Sequence, residues 1–495
     1  MLNRLINRLT PDYKHLKYST ILAILFVVSF FVRFPFFFRD YIDRDESTFI
    51  LMAQSWVDGN LPYMELWDLK PPVTYLFFAI ILSVFGKSFL AIRFIGVLIV
   101  TITAFYTYKI AITTTTKKVA LWIGIICVAL LSMIGSLQGV MSEHVCMVFF
   151  TPALFYIIKK QYWLWLGYAG ILMGLAVMTK LNIAYPVLAL GLYLVFKNLK
   201  TQNYNAAIAN SLAYGTGILL VIFFTFLPYY TNGNGSIWWK SVVLAPLEYT
   251  GARRESLASF LPITLLLAFF FYITWKKKFL NYKEVPVQIL TLTVISILLS
   301  FIKGGRINGH YLIQLHPIII VLIGIFISKI AFLQKVNYRP YVFFILLLLP
   351  SEAYLEYVTI IKHKIDKGSF FNGEGITVPN YIDQNNINTE NILFLGYHIG
   401  YWQLNAKPPT KSATHPSNIC RNELFRFYEN SRKTGLEEIT YIMEKIQPQT
   451  VVIRQNRSIF DPKLVEENNY INSYLSNHYQ LKATVDKAEI YTYLK

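Results

Sequence analysis

The chain has 495 residues, 55% of them hydrophobic and 16% aromatic, with a mean hydropathy of +0.43 and a formal net charge of +18. A soluble globular protein of this length is rarely so apolar, so the composition excludes that class and indicates a polytopic membrane protein with two aromatic-rich interfaces. Much of the basic charge lies in short clusters between apolar runs, and no basic-plus-aromatic module appears, which counts against nucleic acid as a partner.

Arg4, Arg8, Lys14 and Lys17 precede an apolar stretch over 19–38. The stretch is too long for a signal-peptide core and no small-residue cleavage site follows it, so it reads as a retained first span. Next comes "RDESTFILMAQSWVDGNLPYMELWDLKPP", 44–72, which holds Asp45, Glu46, Asp58, Glu65 and Asp68. Between Asp68 and Glu248 the chain carries one further carboxylate, Glu143. Apolar runs follow over 71–86, 89–112, 119–138, 144–158, 162–179, 182–197, 206–229, 258–275, 285–302, 311–333 and 340–358.

Cationic loops favour the cytoplasmic side. With the N-terminus inside, that rule holds if 71–86 does not cross. The segment is short, opens on Pro71-Pro72 and ends at Gly86, and reads as a helix in the outer interface. Lys109, Lys117, Lys118, Lys159, Lys160, Lys197, Lys200, Lys276, Lys277, Lys278, Lys335 and Arg339 then all fall inside. Eleven crossings result, with the acidic loop 39–72 and the tail outside. Residues 1–362 form the membrane domain, and 363–495 a small extracytoplasmic α/β domain. Buried strands are expected in that tail at 391–396, 450–456 and 489–495, and a helix over 420–446 broken near Thr434-Gly435. No internal repeat is evident, which counts against a secondary transporter. Cys127, Cys146 and Cys420 give neither a disulfide framework nor metal spacing.

This topology turns the unusual polar residues outward. Glu143 and Lys180 ("VMTKLNIAYP") lie at outer helix ends, and Arg306 and His310 in "FIKGGRINGHYLIQLHP". Ionisable residues at membrane depth are costly and tend to be functional. Carboxylates after the first span beside cations from distant loops suit transfer of a group from a lipid phosphate to a hydroxyl. A carboxylate takes the acceptor's proton and cations stabilise the departing phosphate.

Several segments carry a family resemblance: Asp45-Glu46 after the first span, "GNLPYMELWDLKPP" at 59–72, "GKSFLAIRF" at 86–94, "MTK" at 178–180 and "GHYLIQLHP" at 309–317. The tail segment "NILFLGYHIGYWQLNAKPPTKSATHP" adds to it. In their order and spacing they resemble the GT-C membrane glycosyltransferases, in the group of the protein O-mannosyltransferases and the lipid A aminoarabinose (ArnT-like) transferases. The resemblance implies a GT-C fold with about 11 or more transmembrane helices plus juxtamembrane helices. It also implies a polyprenyl-phosphate sugar donor and inversion at the anomeric carbon. It matches Asp45 to the catalytic base or acceptor-orienting group, with Glu46 beside it. Lys70 and Lys180 match lysines linked to the site and the donor phosphate, and Arg93 an arginine linked to activity. Some members carry an arginine three residues after the aspartate, where this chain has Thr48; Arg306, Arg93 or Arg44 would then supply that charge.

Each residue also has a plainer reading. Asp58 with Gly59-Asn60 reads as a turn, Glu65 and Asp68 as hydrogen-bonding residues of the loop, and His316 before Pro317 as a packed polar side chain. Arg306, His310 and Tyr311 are candidates for phosphate contact, although tyrosine is also an ordinary interface anchor. Glu143 either caps its helix or faces an acceptor cavity. His398 and His415 have no partner spacing for a metal. No cofactor is firmly implied and no ligand motif for a divalent metal is present, so metal dependence stays open.

The leading expectation is an integral membrane glycosyltransferase at the outer face of the cytoplasmic membrane. It would move a sugar from undecaprenyl phosphate to a glycan, lipid or protein acceptor. The alternatives are a lipid-linked sugar transporter or flippase, which needs no base, and a ligase or polymerase using a pyrophosphate-linked donor.

Overall fold

The computed structural model describes residues 16–39, 43–133, 135–160, 162–200, 202, 204–252, 256–305, 308–330 and 350–494. Arg4, Arg8, Lys14, Arg306, Lys335, Arg339 and most of the expected run 340–358 lie outside them. The chain forms two compact units, Met1–Phe36 with Arg93–Thr225 and Arg253–Tyr357, and Phe37–Ile92 with Phe226–Ala252 and Val358–Lys495.

The first unit is a helical bundle. Its helices are α1 (Tyr18–Arg33), α4 (Phe89–Ala111, which begins in the second unit), α5 (Lys117–Leu130), α6 (Ser142–Lys159) and α7 (Trp163–Val177). They continue as α8 (Ala184–Lys200), α9 (Tyr204–Thr231), α11 (Leu261–Lys276), α12 (Val285–Gly304) and α13 (His316–Ser328). Six helical stretches among the described residues are long and apolar enough to cross a membrane: Tyr18–Phe38, Phe89–Ala111, Leu181–Lys200, Tyr204–Thr231, Ala258–Lys276 and Val285–Gly304. A 23-residue helix such as α4 is about 35 Å long and exceeds a hydrocarbon core of about 30 Å.

Other expected spans come out shorter. The run 119–138 gives 14-residue α5, a turn and a 3₁₀ segment at Gly135–Gln138, and 311–333 gives a 3₁₀ segment, Gly309–Gln314, followed by 13-residue α13. In both, polar backbone breaks the apolar run near the residues considered below.

Ile21, Leu25, Val100, Phe150, Leu290 and Leu322 belong to one continuous buried core. Small residues set the closest helix approach. A Cβ on Gly170 of α7 would stand 2.2 Å from the Tyr214 carbonyl oxygen, and one on Gly217 of α9 2.5 Å from the Gly167 carbonyl oxygen. Helices in an apolar solvent gain from such backbone contact because lipid exclusion alone does not drive them together.

In the second unit the acidic stretch is helical over α2 (Arg44–Val57) rather than a loop throughout. Asp43 caps it by accepting from the Asp45 N–H at 2.8 Å, and Asp45 and Glu46 in the first turn complement the helix dipole. Next is α3 (Pro72–Phe85), with Pro72 at its first position and Gly86, at φ +65°, ending it. At 14 residues, about 21 Å, it falls short of a hydrocarbon core. Phe49 of α2 packs on Phe78 of α3 at 5.9 Å between ring centroids.

After α10 (Ala245–Ala252) the tail adds α14 (Ser351–Lys367, which begins in the first unit), α15 (Glu374–Gln384) and α16 (Val465–His478). It also supplies β1 (Leu393–Phe394), β2 (Thr450–Arg454), β3 (Tyr479–Val485) and β4 (Ala488–Tyr493), in the sheet order β1-β2-β4-β3. Only the β1–β2 pair is parallel. Three strands fall in the expected segments, and β3 was not foreseen although YQLKATV alternates apolar and polar residues. The expected helix over 420–446 forms only in its second half, as Gly435–Thr440 and the wider turns of Tyr441–Ile446. The first half is short 3₁₀ segments, Pro416–Cys420 and Asn422–Phe427.

Candidate active site

The acidic stretch resolves into separate tasks. Asp58 accepts from Gln54 Nε2 at 2.9 Å beside Gly59, whose φ is +99°. Glu65 accepts from Ser55 Oγ at 2.9 Å, from Asn60 Nδ2 at 2.8 Å and from Lys407 Nζ. Lys407 and Ser55 hold its carboxyl below the usual glutamate range against the opposing effect of burial. Asp68 accepts from Tyr75 Oη at 3.2 Å. These three brace the segment, as their plainer reading held. Glu46 is buried on α2.

Asp45 is set apart by what flanks it. Lys70 Nζ lies 3.1 Å from its Oδ2, and His415 Nε2 lies 3.5 Å from its Oδ1. The carboxylate is 27% exposed, against 17% for Lys70 and 6% for His415, so it is the accessible member of the group. Lys70 is fixed by its own backbone. Its N–H donates to Tyr75 Oη at 3.2 Å, and its carbonyl accepts from Tyr63 Oη at 2.5 Å.

Thr48, one turn beyond Asp45, donates its hydroxyl to the Arg44 carbonyl at 3.1 Å and makes a 2.9 Å hydrogen bond with His398 Nε2. Because the hydroxyl proton is committed, His398 Nε2–H is the donor there. Burial pushes the His398 pKa well down, reinforced by His415, Arg44 and Arg454 and opposed by Asp45. Thus Thr48 is engaged by a buried neutral imidazole.

In the first unit Glu143, Lys180, His310 and Tyr311 come together. Glu143 is fully buried in the first turn of α6, where the helix dipole favours an anion. It accepts from Lys180 Nζ and from Ser142 Oγ at 3.0 Å, and His310 Nε2 lies 3.8 Å from its Oε1. Lys180 also stands over the Tyr311 ring, 4.3 Å from the centroid, and His310 meets that ring edge-on at 4.9 Å. A reciprocal amide pair, Asn182 Nδ2 to Gln314 Oε1 at 2.8 Å and Gln314 Nε2 to Asn182 Oδ1 at 3.0 Å, ties the Lys180 turn to the segment carrying His310 and Tyr311. Arg93 is 1% exposed on α4. Arg306 lies outside the described residues. His316 shares its ring Nδ1 with the Leu130 carbonyl at 3.0 Å, a packing role as read.

Two further residues organise this unit. Arg33, at the end of α1, donates to the carbonyls of Leu131 (3.3 Å), Leu137 (2.9 Å), Gln138 (3.3 Å) and Gly139 (2.6 Å). His144 accepts from the Met141 N–H at 3.1 Å through Nδ1 and donates through Nε2 to the Leu131 carbonyl at 2.7 Å. Sequence reasoning passed over both, although an arginine inside the first apolar run was a visible signal. His415 was weighed only as a metal ligand. Among the described residues no group of three or more His, Cys, Asp or Glu side chains is placed to hold a metal ion.

Residues 69–230 match the family model of dolichyl-phosphate-mannose-protein mannosyltransferases. The fold is similar to that of ArnT from Cupriavidus metallidurans bound to undecaprenyl phosphate, with a TM-score of 0.61 at 15% identity over 96% of this chain and 97% of that one. The apo state of the same ArnT gives 0.62 at 13% identity, with the same coverage. An apo oligosaccharyltransferase from Archaeoglobus fulgidus gives 0.47 at 10% identity, over 90% of this chain and 70% of that one. No curated protein sequence matches.

The chain has the GT-C fold of a multi-pass membrane protein, and its residues 69–230 carry the mannosyltransferase family match. Within that class the chain is similar to the ArnT-like and protein O-mannosyltransferase group, and the resemblance read from the sequence is borne out.

Proposed function

We propose that the protein transfers a sugar from a polyprenyl phosphate, undecaprenyl phosphate in bacteria, to an acceptor hydroxyl or phosphate at the outer face of the cytoplasmic membrane. On this reading 363–495 is extracytoplasmic. The observation that carries it is Asp45: a partly exposed carboxylate just beyond the first apolar span, with Lys70 on one oxygen and His415 beside the other. Support comes from the likeness to an ArnT bound to undecaprenyl phosphate.

Asp45 takes the proton of the acceptor hydroxyl as that oxygen bonds to the anomeric carbon. The carbon–oxygen bond to phosphate breaks on the opposite side and its electron pair leaves with the phosphate, so one displacement inverts the centre. A phosphate is already a good leaving group and needs no strong general acid. Lys180, His310 and Tyr311, with Arg93 and Arg306, take the donor-phosphate role. Lys70 shares it while holding the Asp45 carboxylate. Lys180 is paired with Glu143, so an arriving phosphate exchanges one anion for another at that ammonium.

The test is mass spectrometry of polyprenyl phosphates from cells lacking the gene, complemented with wild type or Asp45→Asn. The expected result is a polyprenyl-phosphate sugar that builds up in both the null and the Asp45→Asn strain, which also names the sugar. An Asp45→Asn strain indistinguishable from wild type overturns the transferase mechanism and favours a transporter.

A further inference from the structure

His415 precedes Pro416, and the residue before a proline is held in extended backbone; here φ is −126° and ψ 119°. That backbone aims the imidazole inward. The Ser417 N–H donates to Nδ1 at 3.1 Å, so Nδ1 carries a lone pair and the ring proton sits on Nε2, the atom facing Asp45 Oδ1. The separation of 3.5 Å is long for a hydrogen bond, and such contacts often tighten when substrate binds.

The neighbouring imidazole repeats the arrangement. His398 sits 5.6 Å from His415 between ring centroids and engages Thr48, one helical turn from Asp45 on the same face of α2. Two tail histidines thus meet two α2 side chains three residues apart. Each ring is held from a second side, His415 by the Ser417 N–H and His398 by its burial.

We infer that His415 is a positioning residue for the Asp45 carboxylate, holding Oδ1 through its Nε2–H while Lys70 holds Oδ2. Fixing both oxygens stops the carboxylate from rotating and leaves its exposed edge toward the acceptor. A misplacement of about 1 Å at a reacting group lowers turnover by about 100-fold. The inference rests on Asp45 being the base, as proposed above.

The test uses the full-length protein in membranes and, as probe, polyprenyl-phosphate sugar extracted from a strain lacking it. His415→Phe is expected to lower kcat by about 10- to 100-fold with KM for the lipid within about twofold. His415→Gln keeps an N–H donor and is expected to restore kcat to within about fivefold of wild type. Thermal stabilisation by added undecaprenyl phosphate is expected to be equal in all three. A His415→Phe kcat within about twofold of wild type, with Asp45→Asn inactive, overturns the positioning role alone. Equal losses in Phe and Gln variants together with lost stabilisation by undecaprenyl phosphate also overturn it, since they mark a purely structural histidine. Activity retained in Asp45→Asn overturns the underlying reading instead.

Discussion

Lys70 Nζ and Asp45 Oδ2 stand 3.1 Å apart although 25 residues separate them, because α2 ends at Val57 and the chain turns at Asp58-Gly59 and doubles back to present the lysine to the first turn of the same helix. The ammonium holds one carboxylate oxygen and limits its rotation. Lys70→Met is therefore expected to reduce turnover at least tenfold, roughly the 1.4 kcal/mol that one charge-assisted hydrogen bond supplies. The Asp45→Asn/Lys70→Met double variant should fall below Asp45→Asn by less than Lys70→Met falls below wild type, the remainder being the share of Lys70 in holding the phosphate. Additive losses in initial-rate measurements would show that Lys70 acts elsewhere than through Asp45.

The Lys180–Glu143 pair is closed to solvent, with side chains 9% and 0% exposed. Removing one partner strands the other charge, so Lys180→Met and Glu143→Gln are each expected to destabilise the protein by about 3–5 kcal/mol. The double variant should recover most of that loss, because no charge is left without its counterion. Thermal unfolding in detergent measures both; a double variant less stable than either single one would refute the pairing as an energetic unit.

Arg33 serves structure rather than chemistry. Its guanidinium gathers carbonyls from Leu131 to Gly139, where the backbone leaves regular helix and would otherwise bury bare acceptors. Arg33→Lys offers three donors on a single nitrogen in place of a planar fork. It is expected to cost about 2–3 kcal/mol of stability while leaving KM for the lipid unchanged. A large rise in KM without loss of stability would assign Arg33 to substrate binding.

His398 makes stability depend on pH in a set direction. Its folded pKa is depressed, and an unfolded imidazole titrates near 6.5. Above that pH both states are neutral and the group adds no dependence. As pH falls below about 6.5 the unfolded chain binds a proton that the folded site refuses, so stability declines until the folded pKa is reached. Unfolding midpoints from pH 7.5 to 5 should fall for wild type and flatten for His398→Gln. An unchanged slope in the variant would place the dependence on another group.

What could be read from the sequence followed physical range. Composition, charge bias and apolar run length are local, and they led to a membrane bundle with a small α/β tail. Asp45 and Lys180 stood out as candidates because charge beside an apolar run is expensive, and Lys70 entered through the family resemblance. Their partners were not legible. The contacts of Asp45 with His415 and of Thr48 with His398 span the length of the chain, and no spacing rule reaches that far. Arg33 was missed for a different reason: its burden is a set of backbone carbonyls, which have no signature in side-chain identity. The outer stretch was read as loop because its acids suggested solvent, whereas Asp43 and the two acids after it are the start signal of a helix.

The Asp45 site has a consequence for biosynthesis. Asp45 and His415 are 370 positions apart (415 minus 45), and Ser417, which fixes the imidazole's proton, comes later still. At about 5–20 residues per second a ribosome needs roughly 20–70 s to travel from one to the other. Throughout that interval Asp45 lacks one of its two flanking groups, while the helices between are being made. The complete surroundings of Asp45 therefore arrive only with the last fifth of the chain, and a polypeptide abandoned midway carries an Asp45 that His415 never reaches.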